Sequence, residues 1–328
     1  MPFLWVSTWV STGRAFQSES GEARVSIAPR VRIVLNGNTE ERPNSHLRVD
    51  ASLVLVPAHV TTPYGTPVTN LSRENFRVFE DSIEQTITYF AKEDAPLSVG
   101  LLFDSSRSML DKRPRAIQAA AAFFKTANTK DEFFLVEFDE RPRLSVPFTE
   151  DSDLLYRQIV HTRPFGRTSL FDAVHLALAQ MKKAHNQRKA IVILSDGGDN
   201  RSRTTFGQIK NELIESDVQL YAMGIFNSAD SKDAKTRAAE EVRGPQVLDD
   251  LALESGGKHY RIDNVDDLPA ISERIGNELR NEYLLGYSPS NESRDGRYRR
   301  IKLNLATEEA QPSALRTYYR QGYYAPAQ

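Results

Sequence analysis

From Ser98 onward the sequence alternates between short apolar segments, typical of strands, and longer segments typical of amphipathic helices. The predicted strands are residues 99–103, 133–138, 144–148, 190–194 and 218–225. The predicted helices are residues 114–127, 153–160, 169–184, 206–215, 247–254 and 266–280. This alternation predicts an α/β fold with a doubly wound, mostly parallel sheet and helices on both faces. Residues 133–138 and 144–148 are predicted to form a hairpin, which makes one edge strand antiparallel.

The flanking segments have a different pattern, with short alternating stretches and turn residues between them. These stretches are residues 47–61, 76–80 and 85–90 on one side, and 282–286, 298–305 and 315–319 on the other. A small number of short strands from one segment rarely forms a core without a partner sheet. We therefore expect residues 47–95 and 281–328 to form one β-sandwich in which the α/β domain, residues 96–280, is inserted. Residues 1–46 are expected to be a tail, with a peripheral strand at residues 24–35 and a degraded secretory signal at the N-terminus as open alternatives.

Oxygen-bearing side chains occupy three predicted loops of the α/β domain. Asp104 ends the first strand and is followed at alternate positions by Ser106 and Ser108; Thr168 precedes the helix at 169–184; Asp196 follows the strand at 190–194. Ligands of open α/β sheets bind at the carboxyl ends of the strands, so we expect these five side chains to meet. Hard oxygen donors suit Mg²⁺, Mn²⁺ or Ca²⁺, and this set would leave part of the coordination shell to water or an outside ligand.

Each motif also has a purely structural interpretation. Ser106 or Ser108 could cap the next helix while Asp104 turns the chain, and Thr168 or Ser169 could be an N-cap. The segment that begins with Asp196 and continues with two glycines could be a simple turn. The occurrence of all three motifs in order, each at the appropriate end of its element, favours a metal site.

Composition excludes several functional classes. The chain of 328 residues has no cysteine, which excludes disulfides and thiol catalysis, and its formal net charge of −2 argues against a nucleic-acid partner. No apolar run approaches the roughly 20 residues of a membrane helix, so we expect no transmembrane segment. The six histidines lack metal-binding spacing, and no G-x-S-x-G nucleophile motif is present. We expect a monomer by default.

Residues 96–280 resemble a von Willebrand factor type A domain, a Rossmann-like fold. The family's metal-ion-dependent adhesion site consists of D-x-S-x-S, then Thr, then Asp, which Asp104, Ser106, Ser108, Thr168 and Asp196 match. The flanking segments LSRENFRVFEDSIEQTITYF, NEYLLGYSPSN and RTYYRQGYYAP are similar to a bacterial, largely acidobacterial, family of VWFA-related proteins. One departure is Arg167, where many relatives have a second glycine; its charge could weaken metal binding or steer an acidic ligand.

The resemblance implies a non-enzymatic protein-binding or adhesion domain that uses Mg²⁺, with Mn²⁺ or Ca²⁺ as alternatives. Ser106, Ser108 and Thr168 would bind the metal directly, and Asp104 and Asp196 would do so directly or through water. An Asp or Glu of a partner protein would complete the shell. The resemblance also implies a periplasmic or secreted location. The N-terminus lacks a basic start, so it is a poor secretory signal and a cytoplasmic location stays open.

Two other functions remain as alternatives. A phosphohydrolase of the haloacid dehalogenase type would use Asp104 as nucleophile, but it needs a second Asp where this chain has Ser106. A cytoplasmic module could serve an ATPase or chelatase assembly. The chain has no G-x-x-x-x-G-K-[ST] phosphate loop, which argues against an ATPase within it but not against an ATPase partner.

Overall fold

The computed structural model describes residues 53–92, 95–226, 234–306 and 315–327, without the side chains of 234–243. The predicted tail at 1–46 lies outside the described residues. The first ten strands are β1 (Val54–Thr61), β2 (Phe76–Glu80), β3 (Ile83–Gln85), β4 (Ile87–Ala91), β5 (Leu97–Asp104), β6 (Glu132–Phe138), β7 (Pro142–Thr149), β8 (Arg188–Ser195), β9 (Gln219–Ile225) and β10 (Lys258–Ile262). The α-helices are α1 (Arg113–Phe124), α2 (Ser152–His161), α3 (Leu170–Met181), α4 (Phe206–Glu215), α5 (Ala234–Ser255) and α6 (Leu268–Arg280).

Strands β5 to β10 form one six-stranded sheet in the order β10-β9-β8-β5-β6-β7. All neighbouring pairs are parallel except β6 and β7, which form the predicted antiparallel hairpin. Every residue of the central strand β5 is buried, because α1, α2 and α6 cover one face of the sheet and α3, α4 and α5 cover the other. The predicted doubly wound, mostly parallel α/β fold is confirmed.

Four strands follow the α/β domain: β11 (Tyr283–Tyr287), β12 (Tyr298–Leu305), β13 (Arg316–Tyr319) and β14 (Gly322–Tyr324). They pair with β1 to β4 in two antiparallel sheets, ordered β13-β1-β11-β4 and β14-β12-β2-β3. Both sheets therefore contain strands from before and after the inserted domain. Side chains from the two sheets, including Val56, Phe76, Tyr283 and Leu303, share one apolar core. The flanks thus form the sandwich that the sequence predicts.

Some element boundaries differ from the predictions. The single strand expected at 85–90 is wrong: β3 pairs with β2, whereas β4 pairs with β11, so the chain changes sheets between them. Strands β10 and β14 were not predicted. Helix α5 begins well before the predicted residue 247 and ends one residue after the predicted end at 254.

Strand β10 was missed because it is a short edge strand that pairs only with β9 and has few apolar residues. It begins just after Gly256 and Gly257. A Cβ on Gly257 would lie 2.1 Å from the Leu220 carbonyl oxygen, so only glycine allows this approach to β9. Among the described residues, no helix has the length and hydrophobicity needed to cross a bilayer.

Candidate metal centre

The Asp104 carboxylate is fixed at the carboxyl end of β5. It is buried, and its Oδ1 accepts a hydrogen bond from the Ser106 backbone N–H at 2.9 Å. Its Oδ2 accepts from the Ser195 hydroxyl at 2.6 Å, at the end of neighbouring β8. Asp104 therefore lies between the ends of two adjacent parallel strands, where the sheet topology predicts a ligand site.

The two hydroxyls of the first motif lie side by side. Ser106 Oγ and Ser108 Oγ are 3.0 Å apart; Ser106 is buried and Ser108 is exposed. Ser106 precedes a single 3₁₀ turn but makes no side-chain capping hydrogen bond, and α1 begins without a serine cap. The capping interpretation of these serines is therefore not supported, and both hydroxyl oxygens keep lone pairs for a ligand.

Thr168 lies between the other two loops. Phe165 N–H donates to the Ser105 carbonyl at 2.8 Å, which joins the Thr168 loop to the β5 loop. Thr168 N–H donates to Asn200 Oδ1 at 3.1 Å, and Asn200 N–H returns a bond of 3.1 Å to the Thr168 carbonyl. Thr168 is buried, and its hydroxyl makes no capping bond to α3. The Ser169 hydroxyl also makes no capping bond, because it donates to the backbone after β6.

Asp196 turns the chain after β8 and also faces the site. Its Oδ1 accepts from Gly198 N–H at 3.1 Å, and Gly197 has φ +73°, so the turn interpretation describes the local backbone correctly. Its Oδ2 lies 3.9 Å from Lys112 Nζ, whose side chain is only 6% exposed. Lys112 Nζ also donates to the Ile225 carbonyl at 3.2 Å. The turn thus presents a carboxylate whose nearest cation is a buried ammonium group.

Burial and charge repulsion shift the ionisation of Asp104. Loss of hydration, and secondly the negative charge of Asp196, raise its pKa to about 7, although hydrogen bonds from Ser106 and Ser195 act in the opposite direction. A buried carboxyl group whose ionised form is disfavoured by a neighbouring carboxylate fits a divalent cation, which would relieve that repulsion. No group of three or more His, Asp or Glu side chains suited to a metal occurs among the described residues, so the hydroxyls would have to supply the remaining donors.

The structure thus gathers the predicted residues at one edge of the sheet, on three loops that bond to one another. Ser195, Asn200 and Lys112 are additional residues of this centre that the motifs did not identify as such. The Ser195 hydroxyl also accepts from Gly197 N–H at 3.1 Å, so it connects the Asp104 carboxylate to the β8 turn. Serine and asparagine in these loops were visible in the sequence, but nothing in it indicated which hydroxyl or amide would be turned inward.

Comparisons with known proteins agree with this fold. Residues 99–198, which include all five predicted ligands, match the family model of the von Willebrand factor type A domain. The chain is 24% identical over 182 residues to an uncharacterized protein of Borreliella burgdorferi; the match covers 52% of each, so the chain spans about half the length of that relative.

Two solved structures are similar at low sequence identity. The von Willebrand factor type A protein from Catenulispora acidiphila is 13% identical, with a TM-score of 0.48 over 80% of this chain and 75% of that one. The vWF domain of the type V pili tip protein Mfa5 from Porphyromonas gingivalis is 14% identical, with a TM-score of 0.44 over 56% and 95%. The resemblance to the narrower bacterial VWFA-related family stays a prediction. The inserted α/β domain of this chain has the von Willebrand factor type A fold.

Proposed function

We propose that this protein is a divalent-cation-dependent protein-binding domain. The cation would be Mg²⁺, with Mn²⁺ or Ca²⁺ as alternatives, and an Asp or Glu of a partner protein would complete its shell. The main support is the meeting of two carboxylates and three hydroxyls on three adjoining loops, together with the raised pKa of the buried Asp104 carboxyl group beside Asp196.

The chain's own residues would give the cation two kinds of oxygen donor. Ser106, Ser108 and Thr168 would supply neutral oxygens, and Asp104 and Asp196 would supply negative charge. A bound cation with so many neutral donors stays electrophilic and attracts an external carboxylate. Lys112 reduces the negative charge around Asp196, so it adds to the preference for an anionic ligand.

We infer that the domain binds rather than catalyses. A phosphohydrolase of the rival type needs a second carboxylate two residues after its nucleophile, and Ser106 occupies that place here with its hydroxyl 3.0 Å from Ser108 Oγ. The proposed role in adhesion, and the proposed location outside the cytoplasm, rest on the family resemblance.

Calorimetric titration of the purified protein with Mg²⁺ and with Mn²⁺ tests the proposal. We expect saturable binding of one ion, lost in the double variant Asp104→Ala/Ser106→Ala. Arg77→Gln, on an exposed sandwich strand, is the control and should bind as the unaltered protein does. Unchanged metal binding in the double variant, or no binding in the unaltered protein, would contradict the proposed metal centre.

A further inference from the structure

Four exposed arginines surround the candidate metal centre without partners. They are Arg107, Arg141, Arg167 and Arg201, and the structure gives none of their guanidinium groups a hydrogen bond or ion pair with any residue it describes. Many arginines elsewhere are paired, as Arg143 is with Asp139 at 2.9 Å. Unpaired guanidinium groups gathered around one site favour an anionic ligand, because each can donate several hydrogen bonds to carboxylate oxygens.

Backbone hydrogen bonds hold two of these arginines close together. Arg107 N–H donates to the Gly166 carbonyl at 3.2 Å, so the residue that follows, Arg167, belongs to the loop that packs against Arg107. Gly166 has φ +70°, a conformation that favours glycine, which fixes the direction of the chain just before Arg167. The backbone of both arginines is therefore held in place next to the ligand loops.

The other two arginines extend the same rim. Arg201 directly follows Asn200, which exchanges two hydrogen bonds with Thr168. Arg141 follows Glu140, whose side chain lies against the loop that contains Thr168. The acids of these loops are mostly engaged or partly buried: Asp139 pairs with Arg143, Asp199 accepts from the Ser202 hydroxyl, and Glu140 is half-buried, whereas Asp111 is exposed. The exposed charged side chains of these loops are thus mostly arginines, although the whole chain is slightly negative.

Two large apolar side chains are exposed on the same rim. Phe165 is 69% exposed and Leu110 is 55% exposed. Their backbones are held in the ligand loops, since Phe165 N–H bonds to Ser105 and Leu110 N–H donates to the Arg107 carbonyl at 3.2 Å. Exposed aromatic and aliphatic residues beside arginines are typical of the centre of protein interfaces.

We propose that this rim, defined as Arg107, Leu110, Arg141, Phe165, Arg167 and Arg201, recognises an acidic segment of a partner protein. In that segment the carboxylate for the cation is flanked by further acidic residues and by a large apolar side chain. The inference rests on the proposed function and specifies its ligand. A protein segment fits better than a nucleic acid, because Phe165 and Leu110 can pack against side chains, whereas a sugar–phosphate backbone leaves Leu110 without a contact.

Fluorescence anisotropy with synthetic peptides tests the rim. The probe is a labelled peptide with one central Asp, flanking Glu residues and one Leu, and two matched peptides replace the Glu residues by Gln or the Leu by Ser. In Mg²⁺ we expect the double variant Arg107→Gln/Arg167→Gln to bind the probe about tenfold more weakly. It should lose most of its preference for the Glu-containing peptide, whereas Phe165→Ser should lose the preference for Leu over Ser.

The controls separate this inference from the metal proposal. Arg157→Gln, on the exposed face of α2, should bind the probe normally, and calorimetry should show the rim variant binding Mg²⁺ at least as tightly as the unaltered protein does. If probe binding needs Mg²⁺ but is the same in the rim variant, the proposed role of the rim is wrong and the metal proposal stands. If probe binding is lost in the rim variant but is unaffected by chelation of Mg²⁺, the metal proposal is contradicted and the proposed role of the rim is supported. A single-stranded oligonucleotide that binds more tightly than the peptide would overturn the assignment of a protein ligand.

Discussion

Carboxylates are buried both at the amino ends of the parallel strands (the amino edge) and at their carboxyl ends (the carboxyl edge), but their partners differ. At the amino edge, Asp131 is fully buried and completely partnered: it accepts from Leu97 N–H at 2.9 Å and from Asn128 N–H at 2.7 Å, and it pairs with Arg280. At the carboxyl edge, Asp104 is equally buried but faces Asp196 instead of a guanidinium group. The buried carboxylate of the amino edge thus has a cationic partner, whereas at the carboxyl edge the Lys112 ammonium group lies beside Asp196 and, among the residues that the structure describes, Asp104 has no cation of its own.

Other largely buried charges, within the α/β domain and at its junction with the sandwich, also have internal partners. Arg188, at the start of β8, bonds to Glu282 at 2.9 Å just before β11, and Lys258 in β10 lies 3.4 Å from Glu278 of α6. Both ion pairs are largely buried, and the first joins residues that are 94 positions apart in the sequence. A buried charge with an internal partner contributes to the fold, and in the proposed metal centre a bound cation would be the partner of Asp104.

Removing the amino-edge carboxylate should have the largest effect on stability. Asp131→Ala removes a fully buried carboxylate that pairs with the Arg280 guanidinium group, and it leaves two backbone N–H groups without their acceptors. We expect a loss of about 3–5 kcal/mol in the free energy of unfolding. Urea denaturation measures it, with the exposed Asp153→Ala in α2 as a near-neutral control. A loss below about 1 kcal/mol would show that the two edges do not differ in this way.

The raised pKa of Asp104 predicts pH-dependent metal binding at the carboxyl edge. A cation needs the ionised carboxylate, and the pKa near 7 means that protons compete with the cation below neutrality. We expect Mg²⁺ affinity to fall roughly tenfold from about pH 8 to about pH 6. Calorimetry at the two values, with circular dichroism to confirm that the protein stays folded, measures the change. Constant affinity would contradict the assignment of Asp104 as a ligand that carries charge.

Lys112 offers a smaller test of the same edge. Its ammonium group, 3.9 Å from Asp196 Oδ2, repels a nearby cation. Lys112→Met keeps the length of the side chain and removes the charge, so we expect Mg²⁺ to bind several-fold more tightly. The Ile225 carbonyl loses a donor, which should lower stability by about 1–3 kcal/mol. The surface variant Lys182→Met should change neither quantity, and weaker metal binding in Lys112→Met would mean that the ammonium group instead holds Asp196 in place.

The sequence predicts what depends on local pattern. Helix Phe206–Glu215 has the predicted bounds because Thr205 and Gln208 form a capping box, and Tyr298–Leu305 has them because its burial alternates strictly until its last two residues. The carboxyl-edge loops were predicted because strand ends share one edge. The inward turn of Lys112 and the pairing of Asp131 with Arg280 were not predictable, since they join residues separated by 113 and 149 positions.

The free energy of unfolding of Asp104→Asn, with and without Mg²⁺ at about pH 8, tests the central claim most directly. Above a raised pKa, an ionised buried carboxylate lowers stability, and this cost fades as the pH falls below about 7. We therefore expect metal-free Asp104→Asn to be more stable than the unaltered protein by at least about 1 kcal/mol. Mg²⁺ should stabilise the unaltered protein but not the variant. A metal-free variant less stable than the unaltered protein, or one equally stabilised by Mg²⁺, would contradict the account.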